Sequence, residues 1–241
     1  MNKTLIFFPC YNVENKIEIV IKKISKKIIF DKKIKLLFIN DKSTDHTKNK
    51  IKKVIKKYNL NGILVNNKRN LGYGGVQKLA FEYAIKKKFS FVVMMHGDNQ
   101  YPSDRINKLL INFSNDKYSA VFGTRMHSIL SAYKGGMPIY KILGNKFLTA
   151  FQNLILNSSM SEFHSGFRSY RVESLKKIKF KNFSNKFHFD TEIIICMLNK
   201  SFKIKEVPMP TFYGDEISHL KSIPYGINII KTTLYHKFKK N

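Results

Sequence analysis

The sequence predicts an α/β fold: a mostly parallel sheet with helices on both faces, in a single domain. Three observations carry this. Short apolar runs of strand length alternate with segments whose apolar residues recur at helical spacing. Polar residues gather just after the first, second and fourth of those runs. No Gly/Ser linker, repeat or low-complexity block divides the 241 residues, which suffice for one sizeable core.

Leu5-Ile6-Phe7-Phe8, stopped by Pro9, reads as a buried strand. Ile17, Ile21, Ile24 and Ile28 come next at helical spacing, with lysines on the other faces, and predict one amphipathic helix. Ile34 to Ile39 is a second strand running into Asn40-Asp41. Ser43 and Thr44 are expected to cap the next helix, which carries Ile51, Ile55 and Tyr58. Ile63-Leu64-Val65 is a third strand. A glycine-bearing loop, Asn70 to Gly75, opens a helix with Val76, Leu79, Tyr83 and Ala84 inward. Phe91 to Met95 is a fourth strand, ended by His96-Gly97-Asp98. Beyond residue 100 the pattern is less regular. Strands are expected at Ala120 to Gly123 and Phe202 to Val207. Helices are expected at Tyr140 to Leu156, Phe189 to Leu198 and, strongly basic, at 225–241. Ligands of such sheets bind outside the carboxyl ends of the strands, where the polar residues lie.

Lys+Arg number 44 against 16 Asp+Glu, a formal net charge of +28. Thirty-nine of the cations are Lys, only five are Arg, and Asn numbers 22, so the bias runs over the whole surface. Base readout and phosphate forks favour Arg, and no zinc-finger spacing, basic heptad or aromatic RNA-binding strand is present, which argues against nucleic acid. Attraction to an anionic membrane face fits better, at about 1 kcal/mol per nearby Lys. Two cysteines, Cys10 and Cys196, cannot build a disulfide framework and read as small buried hydrophobes. The first apolar run is too short for a signal peptide. The longest uncharged stretch, Phe147 to Ser161, falls short of the ~20 apolar residues of a spanning helix.

With acids scarce, their positions matter. Asp41, Asp98 and the pair Asp215-Glu216 come after predicted strands or their closing prolines. In His96-Gly97-Asp98-Asn99-Gln100 a carboxylate and an amide oxygen sit two residues apart on a turn. Such oxygens can hold Mg²⁺ or Mn²⁺ with a diphosphate, and His96 adds a nitrogen that suits Mn²⁺; a plain polar turn closing a strand is the other reading. Asn70-Leu71-Gly72-Tyr73-Gly74-Gly75 has a dinucleotide-loop look, but it comes after the third strand and lacks the later acid, so tight loop packing explains it as well. The five arginines are Arg69, Arg105, Arg125, Arg168 and Arg171. Where Lys is the default, an Arg points to a need for the planar fork, to diphosphate or to a carboxylate of the protein itself. His164 and His188 flank this region and, as lone histidines, read as structural before catalytic.

Phe8-Pro9-Cys10-Tyr11-Asn12, Ile39-Asn40-Asp41-Lys42-Ser43-Thr44-Asp45, Asn70-Leu71-Gly72-Tyr73-Gly74, His96 to Pro102 and Phe122-Gly123-Thr124-Arg125 occur in order. Ser165-Gly166-Phe167-Arg168-Ser169-Tyr170-Arg171 and Glu206-Val207-Pro208 continue the series. Together these motifs resemble family-2 glycosyltransferases of the GT-A fold, in the branch of dolichyl- and polyprenyl-phosphate sugar synthases, over about residues 4 to 220.

The resemblance implies roles. Pro9, Tyr11, Ile39, Asp41 and Gly97 would line the nucleotide-sugar pocket, Asp41 accepting from the base. Asp98 matches the second acid of the family's Asp-X-Asp, and Gln100 a further metal-side residue. Arg125 would sit near the sugar diphosphate and Arg168 at the acceptor phosphate. Asn40 and His96 replace the usual first acids of two motifs. After Pro208, His219 or Lys221 stands in for the family's basic residues. The implied reaction is an inverting transfer from a GDP- or UDP-sugar to a polyprenyl or dolichyl phosphate, helped by Mg²⁺ or Mn²⁺. Residues to about 100 would serve the nucleotide and about 101–224 the acceptor. A phosphate acceptor needs no strong base; a hydroxyl acceptor would need one, from Asp190, Glu192 or Asp215. Alternatives are a nucleotidyltransferase, or a basic module for nucleic acid or membrane without catalysis. The expected location is cytoplasmic, peripheral on the inner membrane face, with Ile227, Ile230, Leu234 and Phe238 among lysines as the contact.

Overall fold

Each of the six expected strands is present, and a seventh joins them. The structure, a computed structural model, describes residues 3–114, 117–213 and 222–238. In chain order the elements are β1 (Thr4–Cys10), α1 (Ile17–Lys23), α2 (Lys26–Ile29), β2 (Ile34–Asn40), α3 (Thr47–Lys57), β3 (Gly62–Asn66), α4 (Gly72–Lys86), β4 (Phe91–Met94) and α5 (Ile106–Leu110). The second half holds β5 (Ala120–Thr124), α6 (Ile129–Lys134), α7 (Ile139–Leu156), β6 (Arg168–Arg171), α8 (Val172–Lys176), α9 (Phe189–Asn199), β7 (Ile204–Pro208) and α10 (Ser222–Phe238).

The strands form one sheet in the order β3-β2-β1-β4-β6-β5-β7. β1 runs parallel to β2 and β4, β2 to β3, and β5 to β7. β6, which the sequence did not announce, lies antiparallel between β4 and β5. Alternation with period two explains why the strands read as continuous apolar runs. Ile6, Phe8 and Cys10 face one core cluster with Leu36 and Phe38; Leu5 and Phe7 face the other with Leu37 and Ile39. A sheet buried on both faces needs both sets apolar. Each such side chain, fully buried, contributes about 1.5–3 kcal/mol. β1 neighbours β2 on one side and β4 on the other, so the strand order reverses there and leaves a crevice at their carboxyl ends.

Three local expectations change. The Ile17–Ile28 segment is two helices, because Ile24 turns extended (φ −67°, ψ 130°) and Ser25 begins a new turn. Ser43 and Thr44 do not cap α3. Their groups engage the loop after β1: Ser43 Oγ accepts from Asn12 N at 3.0 Å, and Thr44 N donates to Asn12 Oδ1 at 2.9 Å. Asp45 Oδ1 instead accepts from Thr47 N at 2.9 Å. The C-terminal helix begins at Ser222 rather than 225 and packs on α7 and α9, with Ile229 and Thr233 buried.

Candidate active site

The turn after β4 is the centre of the crevice. The Asp98 side chain is 35% exposed; its Oδ1 accepts from Gln100 N at 3.1 Å, and its Oδ2 lies 4.0 Å from His96 Nδ1. His96 packs against Tyr73 and Tyr101, with ring centroids 5.8 and 5.0 Å away. Burial holds its pKa below the usual histidine value although Asp98 pulls the other way, so the ring is neutral at pH 7. His96 Nε2 is buried without a partner among the described residues and points at Gly166. Any Cβ at Gly166 would stand 2.6 Å from that nitrogen, so glycine is required for the approach.

These residues fit a hard divalent cation. Among the described residues no three His, Cys, Asp or Glu converge. A cation bound here would meet Asp98 as its one carboxylate, with Gln100 and His96 Nδ1 near it. Few protein ligands, completed by phosphate oxygens and water, is how Mg²⁺ is ordinarily held on a diphosphate.

Tyr101 ties this turn to the segment before β6. Its hydroxyl accepts from Gly166 N at 2.7 Å, and its ring carries the Arg125 guanidinium at 5.6 Å. Arg125 is engaged by a partner that sequence reasoning missed. Glu162 takes Arg125 N at 2.7 Å on one oxygen, and Nε at 3.1 Å together with Nη2 on the other. Asn145 Nδ2 adds a bond to Glu162 at 3.0 Å. Burial would raise the Glu162 pKa, but Arg125 overrides it and the carboxyl stays ionised below its ordinary value. Arg125 thus reaches the site as half of an ion pair, not as a free cation. Glu162 had one signal in the sequence: it is an acid in a chain that has few.

Three expected contact residues turn out to be structural. Arg168 is 1% exposed. Its Nε donates to Ser165 O and its Nη2 to Phe163 O, both at 2.6 Å, and Asp190 Oδ2 lies 3.4 Å from Nε. Sealed in the sheet over the Phe122 ring, it has no face for an acceptor phosphate and instead fixes the segment from Phe163 to Ser165. Ile39 is wholly buried in the core between the sheet and α4, so its side chain does not line the crevice. Asp41, also buried, accepts from Asn67 Nδ2 and Leu71 N at 2.8 Å and from Gly72 N at 2.9 Å. It caps the start of α4 from the loop after β2, which α4's own N-cap, Leu71, cannot do. The glycines of that loop serve close packing: a Cβ at Gly74 would meet Ser184 O at 2.4 Å.

Pro9 is half-buried opposite Ile39, Tyr11 is exposed at the mouth, and Gly97 lies buried against Cys10. His219, Lys221 and Asp215 lie outside the described residues. The candidate base Asp190 accepts from Tyr73 Oη and Gln77 Nε2, each at 2.8 Å, and Glu192 from Ser184 N at 2.7 Å. His188 stands at the start of α9 as its N-cap residue.

A cavity of about 200 Å³ adjoins the turn between α7 and α10, lined by Gln100, Arg125, Lys141, Asn145, His164 and Tyr225 among others. A larger open groove of about 550 Å³ runs along α4 and α8 and contains none of the expected site residues. His164 Nδ1 lies 2.9 Å from Tyr225 Oη. Burial drops the His164 pKa to about 3, with Arg168 and Arg125 also lowering it and Glu162 opposing. An unfolded histidine titrates near 6.5, so the unfolded chain binds the extra proton first. Stability from this group is complete above about pH 6.5 and is lost as pH falls toward 3, by at most about 1.4 kcal/mol per pH unit. Urea unfolding between pH 7 and 4 should show this slope, and His164→Asn should flatten it. An unchanged slope would show that His164 is not buried as a neutral ring.

The chain is similar to known proteins in sequence and in fold. The family model described as "Glycosyl transferase family 2" matches residues 5–179. A UDP-N-acetylglucosamine–dolichyl-phosphate N-acetylglucosaminyltransferase of Methanococcus voltae is 24% identical over 74% of this chain and 70% of its own. The polyprenol monophosphomannose synthase of Mycolicibacterium smegmatis is 21% identical over 89% of this chain and 79% of its own. Among solved structures, glucosyl-3-phosphoglycerate synthase of Mycobacterium tuberculosis, in complex with Mn²⁺, UDP and phosphoglyceric acid, superposes with a TM-score of 0.71 at 14% identity, covering 100% of this chain and 80% of that one.

Proposed function

The chain belongs to glycosyl transferase family 2 and has the GT-A fold, and on that premise we propose that it moves a sugar, with inversion, from a UDP- or GDP-sugar to a polyprenyl or dolichyl phosphate. The observation that carries this reading is a half-open carboxylate, Asp98, at the carboxyl end of β4, beside a cavity walled by α7 and α10.

The nucleotide enters over Pro9, Tyr11 and Gly97 at the ends of β1 and β4. A divalent cation held at Asp98, with Gln100 and His96 at its side, would neutralise charge on the leaving diphosphate. Tyr101 and the Arg125–Glu162 pair hold the turn and the far wall in place, so that alignment of acceptor and donor is set before reaction. Lys141 brings a cation to the cavity and suits a phosphate there.

A phosphate acceptor is favoured over a hydroxyl by the state of the candidate bases among the described residues. Asp190 and Glu192 are engaged by protein donors, and His164 is too weakly basic to take a hydroxyl proton at pH 7. An ionised phosphate needs no such help. A lipid acceptor also requires a membrane, and the cationic surplus suits an anionic one; no helix among the described residues is long and apolar enough to cross it.

The direct test is transfer of labelled sugar from UDP- and GDP-sugars, with Mn²⁺ or Mg²⁺, to a short prenyl phosphate. A sugar-phospho-prenyl product, labile to mild acid, is expected. Transfer to sugar hydroxyls alone would overturn the acceptor. Thermal stabilisation by duplex DNA and by no nucleotide sugar would favour a binding module instead.

A further inference from the structure

Helix α7 is built inside out. Tyr140, Leu143, Phe147 and Leu154 recur at spacings of three, four and seven on its exposed side, where Phe147 is 64% and Leu154 80% exposed. Its buried side carries Thr149 and Gln152 beside a single apolar residue, Ile142, and Gln152 is wholly buried with neither amide atom partnered among the described residues. A helix facing water has the opposite pattern. Its two neighbours repeat the feature. On α6, Ile129, Leu130 and Tyr133 are exposed while Ala132 is buried. On α10, Ile223, Ile227, Tyr235 and Phe238 are exposed along one stripe with Lys231. This differs from the stripe expected from sequence, since Ile230 and Leu234 are half-buried. α7 packs against both α6 and α10, and a small core of Met126, Ala132, Met137 and Ile142 fixes the first pair.

The charge of these helices is one-sided. Together they contain Lys134, Lys141, Lys146, Lys231 and Lys237 and no Asp or Glu. Exposed apolar residues among cations, with no acid, match the headgroup zone of an anionic bilayer; a second copy of these same helices would bring no opposite charge. Tyr140 belongs to both features: it is exposed on the stripe and it lines the cavity beside Asp98, as do Ser222 and Tyr225 of α10.

We propose that α6, α7 and α10 form a seat that rests in the surface of an anionic bilayer and turns the mouth of the α7–α10 cavity toward the lipid. The bound partner is the bilayer itself, with apolar side chains among the acyl chains and lysines at the headgroups. The seating stands by itself; the delivery of a lipid phosphate through that mouth rests on the function proposed above.

The test is co-sedimentation of the full chain with vesicles of equal parts phosphatidylglycerol and phosphatidylcholine, and with phosphatidylcholine alone. Binding should be stronger to the anionic vesicles and fall with salt. Leu143→Glu with Phe147→Glu, both at exposed positions, should lower partitioning about tenfold or more and leave the melting curve in place. Phe30→Glu with Ile111→Glu, exposed elsewhere, should lower it little. Unchanged partitioning of the α7 variant would overturn the seat. So would a dimer in light scattering that the α7 variant turns into monomers, since a second copy would then be the occupant. The same variant should keep transfer to a short soluble prenyl phosphate and lose it to a long-chain one in vesicles. Failure of the wild-type chain on both acceptors would refute the acceptor reading and leave the vesicle result standing.

Discussion

Asp98→Asn is expected to lower sugar transfer by about 10²–10³-fold at saturating Mn²⁺, while the melting temperature hardly moves. A cation on the diphosphate supplies several kcal/mol of charge stabilisation, and each 1.36 kcal/mol is tenfold in rate. Loss of the ionised oxygen at the turn after β4 removes a large part of that. Stability is spared because the side chain is one-third exposed and its hydrogen bond among the described residues is to the Gln100 backbone N within its own turn, with only a long contact to a neutral His96; an amide oxygen can keep that bond. Single-turnover transfer and Mn²⁺ titration calorimetry would measure the two effects. Full activity with weakened Mn²⁺ binding would show that the metal is not needed; full activity and intact binding would remove Asp98 from the site.

Glu162→Gln should do the reverse, damaging the fold first. Its carboxylate is the counter-charge of Arg125, and its side chain has no exposure. Removing one partner of a buried pair typically costs about 3–5 kcal/mol, because the other charge is left in a poor solvent. For a chain of this length that is roughly 6–20 °C in Tm. Calorimetry on the single variant, and on the double variant Glu162→Gln with Arg125→Met, separates packing from charge. The double variant should recover most of the stability yet stay slow, since Arg125 also shapes the cavity wall. A single variant as stable as the parent would mean that water reaches the pair.

Strand runs and the polar turns that end them are local features, and the sequence displayed them. Leu5 to Phe8 and Phe91 to Met95 are apolar at every position because both faces of the sheet are covered, and Asp98 stands out because acids are rare. β6 was invisible for the same kind of reason: Arg168-Ser169-Tyr170-Arg171 has polar letters, and only its place between β4 and β5 buries it. Glu162, Tyr101 and Tyr225 escaped notice because their partners are distant in the chain. The Arg125–Glu162 contact spans 37 positions, Tyr101–Gly166 spans 65 and His164–Tyr225 spans 61. Periodicity carries no information over such intervals.

The arginines show the division most plainly. Residue type alone marked Arg125 and Arg168 as forks for an anion, and each does grip one. Which anion was decided by the fold, which brings Glu162 and Asp190 against them and closes water out. By itself the sequence determined the α/β layers and marked the polar strand ends, with Asp98 among them, as the proposed place of chemistry. Only the tertiary structure decided which charges remain free to meet a substrate. Charge pairing depends on distance and on local dielectric, and both are set when remote segments pack.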